Sequence, residues 1–502
     1  MERPRPEDDL SWPIEKARDL GARALALWGD FLEKLPSLPV SRAWKGRDLA
    51  RELDLHIPAG PTSLDDVMGV LKKLLFETSM YPGHPRFMAY VTGPGTIPGS
   101  IADLLGAVLN ANVGGYRLAP AATEMEQFLT RWFACELFGL PKGAGGIMVS
   151  GGAMANFVAL KAARDKTMGY DVRTHGLVRE DGEQDLVAWY ASAEVHAVVD
   201  RAADMLGLGS AVVRKIATDA TGRMDMIALQ AAILEDLTTG IRPTVVVGTA
   251  GTVATGAIDS LDAIADLCKL HNLWFHVDGA YGGLAVMAPE LKPLFKGIER
   301  ASSIAFDPHK WLYTPHSGGC VVVRDLQHLA DSFAVHATYV HDDKERTGNG
   351  IDQAMLGPQF SRGFQALKVY LSLLAHGRDA YARRIAHDCA LARWLGHVVD
   401  EHPELERAGD PGLSICCFRY VPKNTAHMPA GEREAYLDRL NEQIMNDLQA
   451  GGRAFCSNAV LAGRFVLRAC IVNYRTEAAD VEELANAVVD LGRKLDRENR
   501  EN

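Results

Sequence analysis

The chain has 502 residues, too many for one small core and suited to a large domain with smaller additions. Its net charge of −11 argues against a nucleic-acid surface, and no apolar run approaches the roughly 20 residues of a membrane helix. The charged N-terminus lacks the apolar stretch of a secretory signal, and eight cysteines without a C-x-x-C pair read as reduced thiols of a cytoplasmic protein.

The first ~80 residues read as helical. Ser63 and Asp66 form a capping box with Asp in place of Glu, ahead of an apolar face made by Val67, Val70, Leu71, Leu74 and Leu75. From about residue 84 the pattern changes to short apolar runs alternating with helical stretches. Strands are expected at 146–150, 186–191, 244–248, 273–277, 303–306 and 319–323, and a helix at 155–164. Runs this uniformly apolar suit strands covered on both faces, hence a mainly parallel sheet in an α/β domain. From about residue 379 helices mix with strands at 413–420 and 465–472. A last helix carries Val481, Leu484, Val488 and Leu491 on one face, capped near Thr476. The expected division is therefore 1–83 as a helical segment, 84–378 as the large domain and 379–502 as a small α+β domain.

Two segments carry the chemistry. Lys310 follows Pro308-His309 and precedes Trp311, outside any solvated charge cluster. Burial lowers a lysine pKa and frees the amine to attack an aldehyde; a lysine snorkelling from a strand end also fits this residue taken alone. Asp278 ends the apolar run Leu273-Trp274-Phe275-His276-Val277, at the strand end where open α/β sheets bind ligands. An ordinary N-cap aspartate would look the same. Together, a Schiff-base lysine and an acid for a pyridinium nitrogen point to pyridoxal phosphate (PLP). Ser150-Gly151-Gly152-Ala153 links a strand to a helix, where small residues let backbone N–H groups reach a phosphate, though ordinary turns share the pattern. His196 follows the strand expected at 186–191 and could stack on a planar cofactor, though a helix-start histidine with no ligand would look the same. Thr252 ends another strand beside Gly251.

These residues resemble the PLP-dependent group II amino-acid decarboxylases. The matching pieces are His84-Pro85-Arg86-Phe87, the run from Pro120 to Glu126, Ser150 to Asn156, His196, Gly251-Thr252, His276 to Tyr281, Asp307 to Trp311, Ser361-Arg362 and Phe465 to Arg468. The resemblance implies PLP fold type I, with a seven-stranded mostly parallel sheet, and a homodimer with shared active sites. It implies Lys310 as the Schiff-base lysine, Asp278 as the ring-nitrogen partner and His196 as the stacking residue. Ala280 would touch the opposite ring face, and Gly152 and Ala153 the phosphate, with Ser303 and His309 close by. Thr252 would border cofactor and substrate carboxylate. No metal is expected. The chain departs from the family pattern at Ala153, where many members have serine, and at Asp307, where many have asparagine. A carboxylate is repelled by a phosphate dianion, so Asp307 is expected to face backbone donors or a cation.

The reaction class follows from Tyr339, on a polar, glycine-bearing stretch that reads as a mobile loop. In the family a tyrosine there returns a proton to the substrate carbon, whereas phenylalanine accompanies aldehyde formation. Tyr339 thus favours simple decarboxylation, with His196 assisting. Tyr90, Val91 and Thr92 stand where relatives bind the substrate side chain, and Ser361 leans to phenolic substrates. Asn110 to Tyr116 looks more like the glutamate branch. The favoured substrate is an aromatic L-amino acid, with acidic or aliphatic ones next. A decarboxylation-coupled aldehyde synthase, an aminotransferase and a non-enzymatic PLP-binding paralogue remain as alternatives.

Overall fold

The computed structural model describes residues 10–178, 181–182, 185–335 and 350–501. Twelve strands lie among them: β1 Phe87–Met88, β2 Gly145–Val149, β3 Val187–Ser192, β4 Val213–Ile216, β5 Arg242–Thr249, β6 Trp274–Asp278, β7 Ser303–Phe306, β8 Gly319–Val323, β9 Leu405–Arg407, β10 Ile415–Tyr420, β11 Phe455–Leu461 and β12 Arg464–Cys470.

Seven of them form the large sheet in the order β2-β8-β7-β6-β5-β3-β4. Only β8 runs against the rest, antiparallel to both of its neighbours. β2, β3, β6, β7 and β8 are buried at every position, which is why they read as uniform apolar runs. Helices cover both faces. One apolar layer joins Phe133, Phe138, Phe275, Phe306 and Trp311; the other joins Trp189, Val245, Val321 and the helix Gly152–Thr167. The seven-stranded, mostly parallel fold-type-I architecture is the one expected. β4 was not expected; Arg214 and Lys215 interrupt its apolar pattern at the sheet edge.

A second sheet, β1-β11-β12-β10-β9, carries the C-terminal part. β1 is drawn into it from far upstream, pairing Phe87 with Phe455 and Met88 with Cys456 in parallel. The motif around His84 is held there by Asn473, whose side-chain amide donates to the His84 carbonyl at 2.8 Å. Thr476 does not cap the last helix, Ala478–Glu501. Its hydroxyl donates to the Pro85 carbonyl at 2.6 Å, and Asp480 instead accepts from the Glu477 N–H.

The N-terminal segment holds the helices Ile14–Lys34, Gly46–Leu53 and Leu64–Lys73. Ser63 caps the third by accepting from the Asp66 N–H at 3.1 Å. Asp66, one methylene shorter than Glu, takes the Ser63 hydroxyl proton at 2.6 Å.

Candidate active site

The site gathers where β2, β6 and β7 end. β2 runs into Ser150-Gly151 and the helix beginning at Gly152, whose N-terminus aims unpaired N–H groups outward. β6 delivers Asp278, only 5% exposed, with its Oδ1 accepting from the Ala280 N–H at 3.1 Å. β7 leads through Asp307 into the single turn Pro308–Trp311 that presents His309 and Lys310.

Three of these pieces touch. A Cβ placed on Gly152 would come within 2.8 Å of Asp307 Oδ2 and 2.9 Å of the Ala280 methyl, and one on Gly151 would sit 3.6 Å from His309 Cε1. The strand end, the helix start and the lysine turn therefore meet at a cradle that only a glycine leaves open. Lys310 Nζ lies 3.0 Å from Asp307 Oδ2, with 17% of the lysine side chain exposed. Asp307 thus faces a cation, and its Oδ1 is buried without a partner among the described residues. His309 packs its Nδ1 against the Gly318 carbonyl at 2.5 Å, and burial pushes its pKa down to about 4 despite Asp307 nearby. The His316 ring packs on it at a tilt of 42°, with ring centroids 4.3 Å apart.

The remaining expected residues fall in different places. His196 is exposed beyond the end of β3, and its Nδ1 accepts from the Val198 N–H at 3.2 Å. Ala153 is exposed on the first helical turn, next to Gly152. Thr252 is fully buried, its hydroxyl engaged with Thr255 and the Ala257 N–H inside its own turn. The structure does not bring Ser303 to the cradle. Ser303 opens β7 at the far end of that strand and its hydroxyl is taken by Trp274 and His276 at 2.8 Å each. The partners that take its hydroxyl across the sheet were not visible in the sequence. Tyr339 lies outside the described residues.

Tyr90, Val91 and Thr92 run alongside the lysine turn. A Cβ on the adjoining Gly93 would meet the Lys310 carbonyl at 3.2 Å and the Tyr313 ring at 3.1 Å. Tyr90 is 55% exposed and holds φ at 52°, a left-handed conformation costly for an aromatic residue. Val91 packs on the core beneath, and Thr92 Oγ1 is 2.8 Å from His316 Nε2.

Arg468 has no role in the sequence reading beyond its place in the run Phe465 to Arg468. It is 2% exposed on β12 and donates through Nη1 to the Tyr90 carbonyl at 3.0 Å and to Ser457 Oγ at 3.2 Å. Its Nε and Nη2 have no partner among the described residues. A buried guanidinium with free N–H groups is costly unless an anion arrives. The signal was present in the sequence: one arginine inside an otherwise apolar strand.

A buried-edge lysine, an acid at a parallel strand end and a glycine cradle at a helix N-terminus define a PLP enzyme. The comparisons narrow the class. The pyridoxal-dependent decarboxylase conserved domain matches residues 47–421. An aromatic-L-amino-acid decarboxylase of Bacillus atrophaeus is 31% identical, over 97% of this chain and 98% of its own. Tyrosine decarboxylase 4 of Petroselinum crispum is 28% identical, over 95% of this chain and 94% of its own. The crystal structure of Oryza sativa TDC with PLP and tryptamine superposes with a TM-score of 0.87 at 27% identity, covering 99% of this chain and 100% of that one. The chain belongs to the pyridoxal-dependent decarboxylase family; it is an amino-acid decarboxylase and its cofactor is pyridoxal phosphate.

Proposed function

We propose that this enzyme decarboxylates an aromatic L-amino acid to the amine and CO2. The observation that carries the cofactor assignment is the meeting of Gly152, Ala280, Asp307 and Lys310 at one cradle. Lys310 would hold the cofactor aldehyde, and Asp307 Oδ2, 3.0 Å from Nζ, fixes where that nitrogen sits until then. Asp278 keeps a proton on the ring nitrogen. Gly152, Ala153 and the helix N-terminus receive the phosphate, with His309 beside them. His196 and Ala280 would flank the cofactor ring, with Thr252 beside them. Bound pyridoxal phosphate supplies the electron sink that lets the Cα–carboxylate bond break. Orientation of that bond contributes on the order of several kcal/mol. Arg468, with its unpartnered Nη2, receives the substrate carboxylate. Tyr90, Val91 and Thr92 line the side-chain pocket, and Tyr339 returns the proton to Cα, with His196 assisting.

Support for an aromatic substrate comes from relatives named for aromatic amino acids, tyrosine and tryptophan. Relatives named phenylacetaldehyde synthase are 26% identical, and Tyr339 is the residue that favours amine over aldehyde. We also propose a cytoplasmic homodimer. The helix Ile97–Leu109 leaves Ile97, Leu104, Leu105, Val108 and Leu109 about half exposed or more, an apolar face that a second subunit would cover.

A mass-spectrometric screen for amine products over the common amino acids and dihydroxyphenylalanine tests this reading. Amines from aromatic substrates, without hydrogen peroxide, are expected. Turnover of acidic or aliphatic amino acids alone, or stoichiometric peroxide and aldehyde, would overturn it.

A further inference from the structure

Behind the cradle lies a buried chain of polar groups that none of the proposed chemistry uses. Trp274 Nε1 carries a hydrogen and no lone pair, so it donates to Ser303 Oγ at 2.8 Å. The Ser303 proton then goes to His276 Nδ1, also at 2.8 Å. That leaves the imidazole proton on Nε2, which donates to Asn156 Oδ1 at 2.8 Å. Asn156 Nδ2 in turn donates to the Gly152 carbonyl at 2.8 Å. The Gly152 carbonyl can only accept, which fixes the Asn156 amide and through it the imidazole and the Ser303 hydroxyl in this direction, and the indole donor at the other end agrees with it. Ser303, His276 and Asn156 have no solvent exposure at all. Burial holds His276 neutral, with its pKa pushed down to about 4, as the chain requires.

The two ends of the chain matter. Gly152 begins the helix at the cradle. His276 stands two residues before Asp278 on β6, on the same face of the sheet. We propose that Asn156 and His276 are positioning residues that fix the phosphate turn at Gly152 against the strand carrying Asp278. This rests on the reading that Gly152 and Asp278 hold opposite ends of the cofactor. Phosphate and ring nitrogen belong to one rigid molecule, so the spacing of the two protein groups must match it closely. A helix start tied to β6 by oriented bonds, rather than by apolar packing alone, cannot slide along the strand without leaving a buried donor unpaired.

The test titrates apoprotein with pyridoxal phosphate and with pyridoxal, following tryptophan fluorescence and the absorbance of the bound cofactor. Asn156→Leu, similar in volume, removes both bonds of the amide. It is expected to weaken pyridoxal phosphate about tenfold or more while pyridoxal changes by about twofold at most. The pH titration of the bound cofactor's absorbance should also shift. Ser303→Ala should lower the ratio of the two affinities in the same direction, and Ser303→Thr, which keeps the hydroxyl, should restore it. This second pair carries the test if Asn156→Leu fails to fold. An unchanged ratio in the folded variants, even with a lower melting temperature, would reduce the chain to a structural role and overturn the proposal. Asp278→Ala separates the premise from the inference: if it binds pyridoxal phosphate as the unaltered protein does, the reading that Asp278 holds the ring nitrogen falls.

Discussion

Glu126 and Arg362 should be strongly coupled in stability, and the coupling should have a definite sign. β2 is the edge strand of the large sheet, so Met148 has no neighbouring strand on its outer side. Glu126 Oε1 accepts the Met148 N–H at 2.9 Å, and Arg362 Nη2 donates to the Met148 carbonyl at 2.7 Å. The two side chains thereby replace the missing strand, and they pair with each other at 2.5 Å. The Glu126 side chain is fully buried and that of Arg362 is 5% exposed. Glu126→Leu strands a buried guanidinium and a buried N–H, which together should cost about 4 kcal/mol. Arg362→Met leaves a carboxylate that can take up a proton, so roughly 3 kcal/mol is expected. The double variant Glu126→Leu/Arg362→Met has no stranded charge and loses mainly the two Met148 bonds, roughly 2–3 kcal/mol. Its loss should fall well short of the sum of the singles. Equilibrium unfolding in urea, followed by tryptophan fluorescence and far-UV circular dichroism, measures all three. A double variant as unstable as the two singles added together would refute the argument.

Lys310→Ala should abolish turnover and remove the visible absorbance of the bound cofactor; a persisting band would count against the lysine. Tyr339→Phe should shift product from amine toward aldehyde, measured by mass spectrometry with a peroxide assay, and an unchanged amine yield would remove Tyr339 from the chemistry. His276 gives a pH prediction. Its folded pKa, about 4, lies below the ordinary 6.5, so the unfolded chain takes up the proton first as pH falls. Its contribution is complete above pH 6.5 and is lost as pH drops toward 4, by roughly 3 kcal/mol. Asp388 and Asp259, pushed up to about 7 and about 6 by burial, act in the opposite sense over part of that range. The comparison is therefore between the unaltered protein and His276→Gln in urea midpoints from pH 7 to 4. The unaltered protein should lose more stability across that window, and parallel curves would show that His276 is not neutral in the fold.

The central strands were legible because they are buried on both faces. β7 and β8 agree with the expected bounds, and β2, β3, β5 and β6 agree within two residues. β1, β4, β9 and β11 were not legible. β1 has two residues, and β9 is half-buried throughout. β11 alternates with solvent beyond Ser457. At the site, Lys310, Asp278 and Gly152 could be picked out because strand ends and helix starts have signatures of their own. Ser303 could not be placed, since its role depends on which side chains flank it across β6. Tyr90 gave no sign of its left-handed backbone, which depends on the Arg468 guanidinium that holds its carbonyl.

The family-like pieces scattered along the chain acquire a physical meaning once they are paired. Glu126 belongs to one run and Arg362 to another, and they are two halves of one ion pair. His84 and Asn473 meet between the first strand of the small sheet and the last. Asn156 and His276 meet behind the cradle. None of these residues is needed to touch a ligand, yet each is polar and buried, and a buried polar group is tolerated only with its partner present. Reading a sequence for chemistry finds the groups that point at a ligand. The groups that hold those in place come as distant pairs, and only the register of strands and the start of a helix decide which member belongs with which. The substitution most damaging to cofactor binding is therefore not confined to Lys310 and Asp278. On the reading proposed above, loss of one partner behind the cradle should move the turn at Gly152 relative to Asp278, even though every residue proposed to contact the cofactor is unchanged.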